Sequence, residues 1–232
     1  THDPTGRSRY YRWKYTETYE YHATFNSLYR FENNQPVPRR PEEYVFTCWT
    51  SNESTDIKIG STKQLEEAVL YKSPLTFIPA GSVKVSSRYS LLVKQQAISE
   101  DAYQYWLSLE KSTENLGGLF DPLPSEVTGN IHGLTDPSET VIGYFSAGTV
   151  QEKRLFVRRN ELPDDITRNS SGIPGCMRDT VYLADLDQVY QPTTLILDGI
   201  YNPFLVGYTT SEAACADCRV LGGTTTRPPF WD

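Results

Sequence analysis

Residues 9–22, RYYRWKYTETYEYH, alternate: Tyr11, Trp13, Tyr15, Tyr19 and Tyr21 fall on one side, Arg12, Lys14, Thr16, Thr18, Glu20 and His22 on the other. A period of two with aromatic and β-branched content predicts a long, half-buried strand. DPTG just before it is turn chemistry, Pro setting one dihedral and Gly accepting the next. The Pro-rich, charged stretch 32–43, ENNQPVPRRPEE, reads as a surface loop, and YVFTCW (44–49) as a short strand carrying Cys48. After DIKIGS, Ser61 and Gln64 match a capping box, which predicts a short helix over 61–72. LTFIPAGSVKV (75–85) and SSRYSLLVKQQAI (86–98) read as strands; in the second, Tyr89, Leu91, Val93 and Gln95 alternate with Ser90, Leu92, Lys94 and Gln96.

The pattern then changes period. Ser99 caps a helix predicted over 100–115, with Glu100 and Asp101 in the first turn, where the helix dipole favours acids. Tyr103, Trp106, Leu107 and Glu110 are spaced i, i+3, i+4, i+7, so this mostly aromatic face is expected to pack on a sheet, and Gly117–Gly118 to end the helix. After DPLPS (121–125), EVTGNIHGL (126–134) and TVIGYFSAGTVQEKRLFVRR (140–159) read as a strand pair, with Gly148 a bulge or bend. A long polar loop fills 160–175, and TTLILDGI and FLVGYTT read as strand remnants. Without a visible repeat, these elements predict a mainly β chain. The expected fold is a β-sandwich, immunoglobulin- or fibronectin-like, with one or two short helical insertions and a disulfide-stapled C-terminal tail. The expected organisation is a single unit over 1–232, with a subdivision into 1–120 and 121–232 as the alternative.

Composition supports strands: 16 Tyr stand against one Met. At 232 residues the chain is long enough to bury a core without metals. The net charge of −7 comes without a basic stripe, which argues against nucleic acid as a partner. No apolar run has the length of a membrane span and no signal peptide is visible. The opening THDPTG, without an initiator Met, reads as the start of an internal fragment.

The cysteines are Cys48, Cys176, Cys215 and Cys218. Zinc sites of this kind want two close pairs, and here only Cys215 and Cys218 are close; His2, His22 and His132 lie far apart. A redox pair wants C-x-x-C at the start of a helix, whereas Gly222–Gly223 and Pro228–Pro229 follow. Two disulfides are therefore preferred over a metal site or a redox centre, and they imply an oxidising compartment. Of the three connectivities, the two expected send Cys215 and Cys218 to different partners, Cys48 and Cys176, and the sequence does not choose between them.

Glu42–Glu43, Glu66–Glu67 and Asp164–Asp165 are carboxylate pairs, all on polar stretches where solvated charge is the expected role. Asp185 and Asp187 alternate like calcium ligands but lack the Gly and closing Glu of an EF-hand loop. His132 is read as a strand histidine, and the tyrosines as core rather than a ligand platform. No nucleophile elbow, phosphate loop or H-E-x-x-H is present. No catalytic residue, cofactor or metal is assigned, and no enzymatic activity is expected.

At YYRWKYTETYEYHATF, SRYSLLVKQQAISEDAYQYWLSLEKSTENLGGLFDPLPSEVTGNIHG, VIGYFSAGTVQEKRLFVRR and CADCRVLGGTTTRPPFW, the chain resembles the DUF4249 family of Bacteroidota cell-envelope proteins, commonly predicted lipoproteins. The resemblance runs over 1–232. It implies an exported, outer-membrane-associated protein attached through a lipid anchor outside this chain. Family genes often lie beside TonB-dependent transporters, so the resemblance implies an accessory or ligand-binding partner of such a transporter, periplasmic or surface-exposed. The long loops 26–43 and 160–175 are the expected contact surfaces. A cell-surface hydrolase of glycans or peptides and an adhesion module are the competing expectations.

Overall fold

A computed structural model describes residues 8–33, 35–67, 69–114, 127, 129–136, 139, 141–168, 175–188 and 193–231. In chain order the elements are β1 (Tyr10–His22), β2 (Tyr29–Glu32), β3 (Gln35–Pro38), β4 (Thr47–Glu53), β5 (Lys58–Ser61), β6 (Arg88–Ile98), α1 (Glu100–Glu114), β7 (Val150–Arg158), α2 (Asp164–Thr167), β8 (Asp179–Tyr182), β9 (Thr194–Asn202), β10 (Phe204–Glu212) and α3 (Ala213–Ala216). The chain is mainly β, as its alternation predicts, with few and short helices. One sheet has the order β4-β1-β6-β7 with β5 paired to β1, a second the order β8-β10-β9, and β2 with β3 forms a third.

Two compact units are interleaved along the sequence: unit 1 takes 1–16, 53–77 and 92–154, unit 2 takes 17–52, 78–91 and 155–232. The alternative boundary at 120/121 lies outside the described residues, as do DPTG, Gly117–Gly118 and DPLPS.

In unit 1, β5 pairs antiparallel with the start of β1, Tyr10 opposite Ser61 and Trp13 opposite Lys58. Tyr11, Trp13 and Tyr15 are buried, the period-two face expected of β1. Trp13 Nε1 donates to Gln95 Oε1 at 3.1 Å, which satisfies a buried indole. Helix α1 starts where expected, with Ser99 Oγ accepting from Ala102 N at 3.2 Å. Its packed face is set one position away from the expected one: Ala102 and Tyr105 are buried, while Tyr103, Trp106 and Leu107 are half-buried. Tyr105 meets Tyr144 at 5.1 Å, Tyr103 meets Tyr10 at 5.1 Å, and the Arg12 guanidinium lies 3.5 Å over Trp106.

Three expected elements of unit 1 differ. No helix forms among the described residues of 62–72. Ser61 is committed to β5, its Oγ accepts from Lys63 N at 3.1 Å, and the Lys63 ammonium goes to Glu100 at 2.5 Å. The described residues of 126–134 and of 140–149 are not strand. Asn130 replaces the ladder: its amide donates to Phe145 O and accepts from Phe145 N, both at 2.8 Å. Gly148 is neither bulge nor strand; a Cβ there would meet Ala97 O at 2.3 Å, so the site needs glycine for close approach.

In unit 2, the core holds Tyr21, Ala23, Cys48 and Cys218, with Tyr19 and Phe46 against it. Disulfides join Cys48 to Cys218 and Cys176 to Cys215, the expected division of the close pair between two partners. Backbone bonds complete the staple: Cys218 N to Val45 O at 2.9 Å, Phe25 N to Cys215 O at 2.9 Å, and Trp49 paired with Thr224. Glu17, in phase with the aromatic face of β1, is 5 % exposed and accepts from Tyr89 Oη at 2.7 Å and from Lys84 Nζ.

The loop expected over 32–43 is in part a hairpin. Tyr29 faces Pro38, Arg30 faces Val37 and Glu32 faces Gln35, with Asn33 at φ 52° in the turn. Pro36 and Pro38 alternate with Gln35 and Val37, so the missing N–H groups face away from β2, and Arg39 N continues the ladder to Leu28 O at 2.8 Å. The strand expected over 75–85 is irregular. Pro79 lacks a donor, Gly81 sits at φ +75°, and Ser82 Oγ accepts from Lys84 N at 3.3 Å to start a 3-10 turn at Val83–Val85.

Candidate functional site

A cleft of about 750 Å³ opens in unit 2. Three segments wall it: Glu20 and His22 from the end of β1, Ser86, Ser87 and Arg88 where β6 begins, and Arg158–Asn160, Leu162, Asp164 and Thr167 from β7 through α2. Glu20 and His22 share a strand face because they are two residues apart. The other two segments are tied together: Arg159 N donates to Ser87 O at 2.9 Å, Arg159 Nη1 to Ser86 O at 3.2 Å, and Gly81 N to Ile166 O at 2.9 Å. Glu161 Oε2 accepts from Arg158 N at 2.9 Å, which turns the chain out of β7.

Glu20 anchors this wall. Its carboxylate accepts from Ser87 Oγ at 2.6 Å and Trp231 Nε1 at 2.9 Å and faces His22 Nε2 at 3.5 Å. Hydrogen bonding from His22, then from Ser87 and Trp231, overcomes burial and holds the carboxyl down at about 2. The imidazole is the largest cause although its contact is the longest of the three; the two shorter bonds come from neutral donors and persist whatever the charge on His22. Glu20 is thus a fixed anion at physiological pH, with no proton to give. His22 stacks flat on Phe46 at 4.8 Å, and Arg88 lies over Phe156 at 4.3 Å and Trp231 at 5.3 Å.

The arrangement can hold a polar ligand against prepositioned groups. It differs from a hydrolytic relay, in which the imidazole stands between hydroxyl and carboxylate. Here the carboxylate stands between the Ser87 hydroxyl and the His22 imidazole.

The residues singled out from sequence are dispersed. Glu43 pairs with Arg40 at 2.9 Å and Arg30 at 3.1 Å, and hydrogen bonds from Arg40 hold its carboxyl at about 2; Glu42 also faces Arg40. Glu66, Glu67 and Asp165 are exposed, and Asp164 alone of these pairs reaches the cleft. Asp185 and Asp187 are exposed on a 3-10 turn, Leu183–Gln188, and no group of ligating side chains gathers around a shared metal position among the described residues. His132 is exposed in an irregular segment, not in a strand as expected. Tyr11, Tyr15, Tyr21, Tyr89, Tyr105 and Tyr208 are core, as expected. Of the two expected contact loops, 26–43 carries the hairpin. Of 160–175, Asn160, Leu162, Asp164 and Thr167 form cleft wall; residues 169–174 lie outside the described residues.

Sequence reasoning missed Glu20, His22, Ser86, Ser87 and Arg88 as a site. The available signals were the acid–imidazole alternation at the end of an aromatic strand and the Arg158–Arg159 pair. The joining of Glu20 to Ser87 and Trp231, 67 and 211 residues away, has no sequence signature.

No curated protein and no solved structure matches this chain. A family model described as domain of unknown function (DUF4249) matches residues 1–154, which include Glu20, His22 and Ser86–Arg88 but not Arg158, Arg159 or the cysteine tail. Because that match covers the greater part of its length, the chain belongs to the DUF4249 family.

Proposed function

We propose that this protein is a non-enzymatic lipoprotein of the outer membrane, the ligand-binding accessory of a TonB-dependent transporter. The cleft of unit 2 carries the reading. It has the volume of small-molecule sites, and its walls are fixed by backbone bonds. Its most strongly tuned carboxylate, Glu20, is spent on internal hydrogen bonds and serves as scaffold rather than acid or base. Two disulfides are consistent with an exported protein. Among the described residues no helix is long and apolar enough to cross a membrane, which agrees with attachment through a lipid. The transporter partnership rests on the family resemblance.

The test is affinity isolation of the full-length protein from native membranes, with mass spectrometry of what accompanies it. A transporter β-barrel recovered in stoichiometric amount is expected. Its absence under several mild detergents, or hydrolysis of glycans or peptides by the purified chain, overturns the reading.

A further inference from the structure

We propose that the unit 2 cleft takes a small ligand bearing an oxyanion, a carboxylate or a phosphate, gripped by the Arg158 guanidinium and the Ser86 hydroxyl. This rests on the reading of the cleft as a binding site and names the chemistry it selects.

Ser86 supplies the first observation. The residue is 9 % exposed and lines the cleft, yet its Oγ is buried without a hydrogen-bond partner among the described residues. Its neighbour Ser87 has the opposite fate, its hydroxyl spent on Glu20. Buried hydroxyls are nearly always satisfied; this one is sealed in the cleft wall, and a χ1 rotation of Ser86 that turns it towards an entering group would satisfy it.

Charge supplies the second. The chain carries −7 overall, yet the cleft lining holds three guanidinium groups, Arg88, Arg158 and Arg159, against two carboxylates, Glu20 and Asp164. Glu20 is already surrounded by donors, so less of its field reaches the cavity. The three arginines are not equivalent. Arg88 is clamped over two aromatic rings and Arg159 bonds to the Ser86 carbonyl. Arg158 is exposed and forms no ion pair among the described residues, while its backbone N–H is fixed by Glu161. An exposed guanidinium on an anchored backbone, in the same cleft as an unsatisfied hydroxyl, suits a planar or tetrahedral oxyanion, because its paired N–H groups match two oxygens at once. A cationic ligand would meet this surplus of like charge, with Asp164 the one uncommitted counter-ion among the described lining residues.

The experiment is isothermal titration of the full 232-residue chain at low salt with three probes: inorganic phosphate, succinate and the neutral disaccharide maltose. Saturable binding of phosphate or succinate is expected, and whichever binds tighter identifies the source of the oxyanion. Arg158→Gln should weaken that binding about tenfold and Ser86→Ala severalfold. Lys94→Gln, a surface change in unit 1 outside the cleft, should leave it unchanged. Melting curves of the variants report whether each is folded, and Arg158 is an exposed residue whose replacement leaves the core intact. Wild-type affinity in Arg158→Gln, or heat from neither anion, overturns the proposal. Binding of maltose alone also overturns it, while leaving the reading of the cleft as a ligand site in place.

Discussion

All four cysteines lie in unit 2, and so do nearly all the buried polar side chains, among them Glu17, Thr18, Ser27, Ser90, Thr210, Ser211 and Asp217. Unit 1 has no disulfide and is packed largely by rings: Tyr10 on Tyr103, Tyr105 on Tyr144, and Arg12 over Trp106. Both units use the same strand, β1, yet its first half presents Tyr11, Trp13 and Tyr15 to an apolar interior, and its second half presents Glu17 and Glu20 to hydrogen-bonded networks. A polar interior is costly unless every group finds its partner in fixed geometry. Covalent closure supplies that fixity, and the unit so stiffened is the one that carries the cleft.

The contrast breaks first at the disulfides. Cys48→Ala with Cys218→Ala should cost about 2–5 kcal/mol in urea unfolding. Hydrogen exchange should quicken over β4 and 213–224 and stay unchanged in α1; equal quickening in α1 would erase the distinction between units. Lys84→Met comes next. It leaves the Glu17 carboxylate buried with Tyr89 as its remaining donor and should cost about 3 kcal/mol, the low end for a broken buried pair because the Lys84 side chain is 31 % exposed. Adding Glu17→Met to Lys84→Met should restore most of the loss, measured by the same unfolding curves.

A smaller, pH-dependent effect sharpens the comparison at Glu20. Its carboxyl is held at about 2 in the folded chain, below the ~4.3 of a free Glu. The folded value is the lower one, so the stabilisation is complete above pH ~4.3 and disappears as pH falls from there through about 2. Glu20→Gln should therefore cost about 1–2 kcal/mol at pH 7 and converge with the parent chain near pH 2. A gap that persists in acid would mean that shape, not charge, is what Glu20 contributes. Smallest is Arg12→Met in unit 1, about 0.5–2 kcal/mol from the lost stacking on Trp106, read as a shift in melting midpoint.

Long elements with a clean period were legible: β1, β6, α1, β9 and β10 all lie where alternation or capping put them. The division of Cys215 and Cys218 between two partners was also legible, because C-x-x-C without the helix a redox site needs reads as a structural staple that ties the tail to the body. What failed did so where one residue had two local uses. Ser61 fits a helix cap, but β5 claims its backbone. Asn130 sits in a strand-like pattern, but its amide bonds Phe145 in place of a ladder. The hairpin of β2 and β3 was hidden by its prolines, which local propensity scores against strand although alternate spacing accommodates them. Glu20 could be placed on the polar face of β1, but not against Ser87 and Trp231, since such convergence depends on the tertiary fold.

The prolines of β3 have a consequence for how the molecule behaves among its own copies. Pro36 and Pro38 leave the outer rim of the hairpin with carbonyl acceptors and no amide donors at those positions. An incoming strand would find only half of the pairing it needs, so the hairpin cannot template cross-β growth. That rim is a built-in guard against self-association.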